Sequence, residues 1–366
     1  MSPRACPCTP LLPALALTLV AAMGCKEPAE TAFRYSPDAS SRAGLVALAD
    51  GVITGNEAGT LVRLDRDGRP VWRVALGREV ATRPAVAGDS VIVGTVAGDL
   101  MRLGLADGKE RWRLSEAPPV LTPALVDEAG TSVYLVAPDG AVRAHAVDTG
   151  VVRWRHPAPR PPREATPDTP RAVPLSVLTG GLLVVARGEG ELVALSTADG
   201  TLAWRRDVRD VVGLKPWREA LYVSTRAGRL LSLSVKDGSP LWEQSLASSL
   251  TSPPAMALGT LWVGAAVADS PVLVGVAPAD GKEVARVPLP DPVVTEVAAI
   301  RDELLLVPTR GREGRLLALR QPGWERAFAL RTDTPLRTPP VVMGDQVFVL
   351  GLDGRVLSWR LRPPEP

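Results

Sequence analysis

Beyond Cys25 the chain has no cysteine at all, and the only others, Cys6 and Cys8, come earlier. No disulfide can form within the chain after residue 25, so the body must be held together by its core alone. The same lack excludes a Cys-His metal cluster and a vicinal disulfide. Histidine is nearly as scarce, with only His145 and His156. His145 alternates with apolar neighbours in AVRAHAV, the pattern of a satisfied strand residue rather than of a metal ligand or base. Neither HExxH nor a phosphate-cradling glycine loop occurs, so no catalytic residue, metal or cofactor is expected. Charge shows no excess of either sign: 42 Lys and Arg against 40 Asp and Glu leave +2. Such a balance makes no field for a polyanion, and nucleic acid is not an expected partner.

Aromatic residues are also few, at 4%, whereas 36 prolines, 33 glycines and 46% hydrophobic residues describe a folded, turn-rich chain. The few aromatics recur. GTLVRLDRDGRPVW ends at Trp72, GDLMRLGLADGKERW at Trp112, GAVRAHAVDTGVVRW at Trp154, GELVALSTADGTLAW at Trp204 and GRLLSLSVKDGSPLW at Trp242. The steps between these tryptophans are 40, 42, 50 and 38 residues, the blade length of a β-propeller. Two weaker copies follow, with Ala285 and Ala327 taken at the tryptophan position and Phe328 beside the latter. An eighth, GRVLSWRL, starts at Gly354 and lacks its last strand. A second series, from GVITGN through SVIVGT to QVFVLG, runs in step as buried strands.

The expected fold is therefore all-β: an eight-bladed propeller of four-stranded antiparallel blades, strands A to D, spanning residues 32–366 as a single, monomeric domain. Ala32 to Tyr35 is expected to supply the missing strand of blade 8 and close the ring. A blade cannot bury both faces alone, so Trp72, Trp112, Trp154, Trp204 and Trp242 are read as structural residues docking each blade on the next. An indole of about 150 to 250 Å² supplies up to about 4 to 6 kcal/mol of burial.

One apolar run, Leu11 to Met23, follows Arg4 and is too short to span a bilayer. It has the form of a secretory leader. Its end, Ala22-Met23-Gly24-Cys25, resembles a bacterial lipobox. That resemblance implies a signal peptide over residues 1–24, a lipidated Cys25 and a short tether over 25–31. The other reading is an ordinary leader cut after Ala22, with Cys25 incidental.

The repeat, Gly-x-Leu followed by an Asp-Gly turn and then Trp, resembles the PQQ-like repeat. Eight such blades behind a lipobox resemble the BamB-like assembly lipoproteins within that superfamily. The resemblance implies a non-catalytic scaffold anchored to the outer membrane and facing the periplasm, which assists assembly and insertion of β-barrel proteins. It implies as partner the central barrel-inserting subunit. The alternatives are a propeller lipoprotein with another envelope partner or a small ligand in its channel, or a quinoprotein dehydrogenase.

Strand alternation puts the D–A and B–C connections on one face and the A–B and C–D turns on the other. The second face collects the repeated Asp-Gly turns and is expected to be net acidic. The first carries scattered arginines and a proline-rich insertion, His156 to Arg171, between blades 3 and 4. Arg160, Arg163, Arg187, Arg226 and Arg229 mark the expected partner region, against a reading of them as solvated, balanced charges.

Overall fold

The computed structural model describes residues 28–115, 118–159, 173–188 and 190–362. Those residues form eight antiparallel sheets in chain order, an eight-bladed β-propeller. Blade 2 shows the plan: strand A is Ala85–Ala87, B is Ser90–Gly94, C is Leu100–Gly104 and D is Glu110–Leu114. Strand B is buried throughout, and D alternates exposed with half-buried. Blade 6 adds a fifth short strand, because Ser249–Leu250 and Ala255–Ala257 both pair with its strand B, Thr260–Val267.

The residues of one strand serve two seams. Leu100 packs with Val133 and Leu135 of blade 3, while Met101 and Leu103 pack with Ile53 and Leu61 of blade 1. The period-2 alternation of a strand thus makes neighbouring blades share one core. Blade 8 takes strands A to C from Val341–Met343, Gln346–Leu350 and Val356–Leu361, and strand D from Ala29–Tyr35. This closing strand begins at Ala29 instead of Ala32, because Ala29 and Glu30 pair with Leu361 and Arg360. Three of the seven residues of the expected 25–31 tether, Ala29 to Thr31, are therefore sheet.

In each C–D ladder the register slips by one residue beside the tryptophan position, as between Arg102 and Leu103, where Arg102 faces Trp112. The same register gives Phe33 in blade 8 and Phe328 in blade 7. Ala327 is thus displaced by one: Phe328 stands as far beyond Gly314 as Trp242 stands beyond Gly228.

Each seam has a recurrent anchor. The indole N–H groups of Trp72, Trp112, Trp154 and Trp204 donate to the carbonyls of Leu105, Val147, Thr197 and Val235, all at 2.9 Å, and that of Trp242 to Pro278 at 3.0 Å. The acceptors all lie just past strand C of the following blade. Phe33 has no N–H, and there Gln346 donates to the corresponding carbonyl, Arg66, at 2.8 Å. Between blades 7 and 8, Arg301 Nη1 donates to Arg362 at 2.9 Å. Only the blade 6–7 seam departs: Ala285 leaves it without a ring from strand D, and Trp262 of strand B meets Trp324 edge-on at 4.7 Å.

Candidate interaction surfaces

The two faces of the ring present different chemistry. Of the five arginines expected to mark a partner region on the D–A and B–C face, the structure describes three, Arg187, Arg226 and Arg229. Arg160 and Arg163, like Cys25, lie outside the described residues. Arg187 is not a surface cation: it is 8% exposed, lies beside the Gly140 turn of blade 3 and pairs with Glu191 at 2.7 Å across its own B–C turn. Arg229 pairs with Glu243 at 2.8 Å. Arg226 is exposed and makes no ion pair among the described residues. A guanidinium already neutralised by a neighbouring carboxylate offers a partner little charge.

The opposite face holds the repeated aspartates, and their carboxylates cap their own turns. Asp107, Asp199, Asp237 and Asp280 each accept the backbone N–H two residues on, at 3.0 to 3.1 Å. In blade 1 that task belongs to Asp65, which accepts from Asp67 and Arg69, so Asp67 is not the capping residue. The N–H of Ser239 is the chief reason that the Asp237 carboxyl is pulled down to about 2. The expected acidity is offset by basic partners. Asp50 pairs with Arg63 at 2.7 Å, Asp89 with Arg111 at 2.9 Å, Asp280 with Lys282 at 2.8 Å and Asp345 with Arg301 at 2.9 Å. One cleft opens here, about 520 Å³ between the A–B turns of blades 3 and 4, lined by Val126, Glu128, Leu178 and Gly181 among others.

His145 sits in strand C of blade 3 with 3% exposure. Its Nδ1 lies 2.8 Å from the carbonyl of Gly150, which fixes the proton on Nδ1. Nε2 is then a bare acceptor, buried and without a partner. Burial, foremost, and then Arg143 and Arg155 hold the imidazole below its ordinary 6.5, against the bond to Gly150. The neutral form belongs to the fold, so its stability is intact above pH 6.5 and drains away as pH falls below that value. Acidification should lower unfolding free energy, with a slope of at most about 1.4 kcal/mol per pH unit from this one group. His145→Leu places the residue type found at this register in blade 2, Leu103, and should remove that component. Urea titrations of both proteins between pH 7 and 5 measure it, and identical slopes would refute the assignment.

Sequence reasoning missed two aromatic features. Trp262 and Trp324 fill the exceptional seam, and Trp217, at the A–B turn of blade 5, is 43% exposed. The repeat was a signal for Trp217 and Trp324, which lie off its tryptophan position, whereas Trp262 falls within a buried strand-B run.

The fold is widespread among solved structures. The crystal structure of BamB from Moraxella catarrhalis superposes with a TM-score of 0.72 at 17% identity, covering 91% of this chain and 100% of that one. The quinohemoprotein alcohol dehydrogenase of Comamonas testosteroni gives 0.73 at 14% identity, covering 93% and 78%. Likeness at these identities shows the fold alone. In sequence, the outer membrane protein assembly factor BamB of Yersinia pestis is 26% identical over 230 residues, 60% of this chain and 58% of that protein. The match therefore spans under two thirds of that relative's length. The family model for outer membrane protein assembly factor BamB matches residues 29–173 and 168–292, which is most of the propeller, and the chain belongs to that family.

Proposed function

We propose that this protein is a lipid-anchored, non-catalytic scaffold on the periplasmic side of the outer membrane, assisting assembly and insertion of β-barrel proteins beside the barrel-inserting subunit. Family membership carries the reading. The use of the side chains supports it: the aspartates of the repeat cap turns, His145 is tied to Gly150, and nearly all the indoles are in seams. Cys25 is the anchor in this reading, four residues before the closing strand begins at Ala29.

Two experiments test it. Cys25→Ser should move the folded protein from the membrane to the soluble envelope fraction; retention in the membrane would refute the anchor. Affinity capture of the membrane-extracted protein should bring down the barrel-inserting subunit, and capture of other envelope proteins alone would refute the assembly role. Dye-linked alcohol oxidation after incubation with quinone and Ca²⁺ would favour the dehydrogenase reading instead.

A further inference from the structure

We propose that the face built from the A–B and C–D turns lies against the phospholipid bilayer, with Trp217 entering the headgroup layer. The proposal rests on the anchor assigned to Cys25 above. The opposite face, with its arginines and the connection between blades 3 and 4, is thereby turned toward the aqueous compartment and its proteins.

The direction of the closing strand is the first ground. Strand C of blade 8 runs out to Leu361, whose N–H donates to Asp345 in the A–B turn of that blade. Ala29 pairs with Leu361, and Arg362 N–H donates to Pro28. Arg301, from the A–B turn of blade 7, reaches the carbonyls of both Leu361 and Arg362. The chain therefore enters the ring on the side of the A–B and C–D turns. Four extended residues from Cys25 to Ala29 reach about 14 Å. That is shorter than the closing strand Ala29–Tyr35 itself, whose seven residues run about 20 Å toward the other face. An acyl group at Cys25 holds this side of the rim near the lipid and cannot reach around to the other face.

The aromatic residues give an independent ground. Eight of the nine tryptophans are packed in seams, and Trp217 is the exception. It projects at a two-residue A–B turn, Arg218-Glu219, whose Glu219 carbonyl is bonded by Val235 at the neighbouring C–D turn. An exposed indole beside an arginine has the character of a residue at a membrane–water interface.

Charge on this face agrees. The sequence has five lysines, and three of them, Lys109, Lys236 and Lys282, stand in C–D turns. Lys109 and Lys282 pair with Asp107 and Asp280, and Asp50, Asp89 and Asp345 pair with arginines, which lowers the repulsion this face would meet at an anionic surface, while Glu128, Asp199, Asp237 and Asp302 make no ion pair among the described residues. Exposed cations on the far face, such as Arg226, Arg310 and Arg312, are arginines.

The difference in residue type makes the test direct. The chain from Cys25 onward is coupled through its single thiol to a maleimide lipid in phosphatidylethanolamine–phosphatidylglycerol vesicles. Labelling of Lys109, Lys236 and Lys282 by an amine reagent should fall several-fold relative to the uncoupled chain. Labelling of Arg226, Arg310 and Arg312 by a dicarbonyl reagent should not change. Brominated lipid should quench a component of the emission that Trp217→Phe removes. Equal protection of both faces, protection of the arginines alone, or quenching unaffected by Trp217→Phe would overturn the orientation. Chemical coupling bypasses natural acylation, so failure here is distinct from failure of the Cys25→Ser fractionation.

Discussion

Trp262→Ala is expected to lower the unfolding free energy by about 3 to 5 kcal/mol, the cost of truncating a large buried ring. The indole is fully buried and lies among Leu305, Val307 and Leu317 of blade 7. Its N–H donates to Ala257 at 3.2 Å, and its ring meets Trp324 at an interplanar angle of 77°. Strand D adds no ring to this seam, because Ala285 occupies the position that carries tryptophan in the first five blades. Equilibrium unfolding in urea measures the loss. Trp217→Ala, at an exposed turn, should change stability by under about 0.5 kcal/mol. A loss below about 1 kcal/mol for Trp262→Ala would mean that the two aromatics do not hold this seam.

Gly200→Ala should be nearly as damaging despite adding only a methyl group. Gly200 has φ +74, and a Cβ there would come within 2.5 Å of Trp154 Cε3, which packs over the turn. The left-handed conformation costs about 1 to 2 kcal/mol and the forced displacement of a seated ring about 1 to 3 more. Gly259 separates the two costs. It has the same φ, +74, with nothing within 4 Å of its would-be Cβ, so Gly259→Ala should show the backbone cost alone. Near-ultraviolet dichroism gives a second readout: the indole signal of Trp154 should change in the first variant and not in the second. Equal losses would show that the ring does not rest on the turn glycine.

The plan of the ring was legible because it is written repeatedly. Five tryptophans at near-constant spacing, eight strand-B runs and the stray Phe33 define blades, register and closure, since identical seams need identical residues. Phe328 was equally legible from its distance to Gly314, but the turn sequence RQPGWERAF hides it by carrying Trp324 where other blades carry the turn glycine. Trp262 could not be singled out. It is one apolar residue in a buried strand, and only the absence of an indole at Ala285 explains its size. Arg187 failed for a different reason. A strand end uncertain by one residue decides whether a side chain points to solvent or against the next blade, and Arg187 is the last residue of strand B, Leu182–Arg187. Likewise the expected acidic face depended on turn aspartates, while the arginines that pair with them, Arg63 and Arg111, lie on strands.

Closure also sets an order of events in time. Ala29–Tyr35 is the first of the described strands along the chain, and its partner Val356–Leu361 is the last. Seven blades can form from neighbouring segments, but the eighth needs the two most distant described strands to meet. Until then the first strand has no sheet to join and the nascent arc has two bare edges. The slowest contact to make is therefore the one that turns an arc into a ring, and any truncation near the C-terminus leaves the earliest strand stranded.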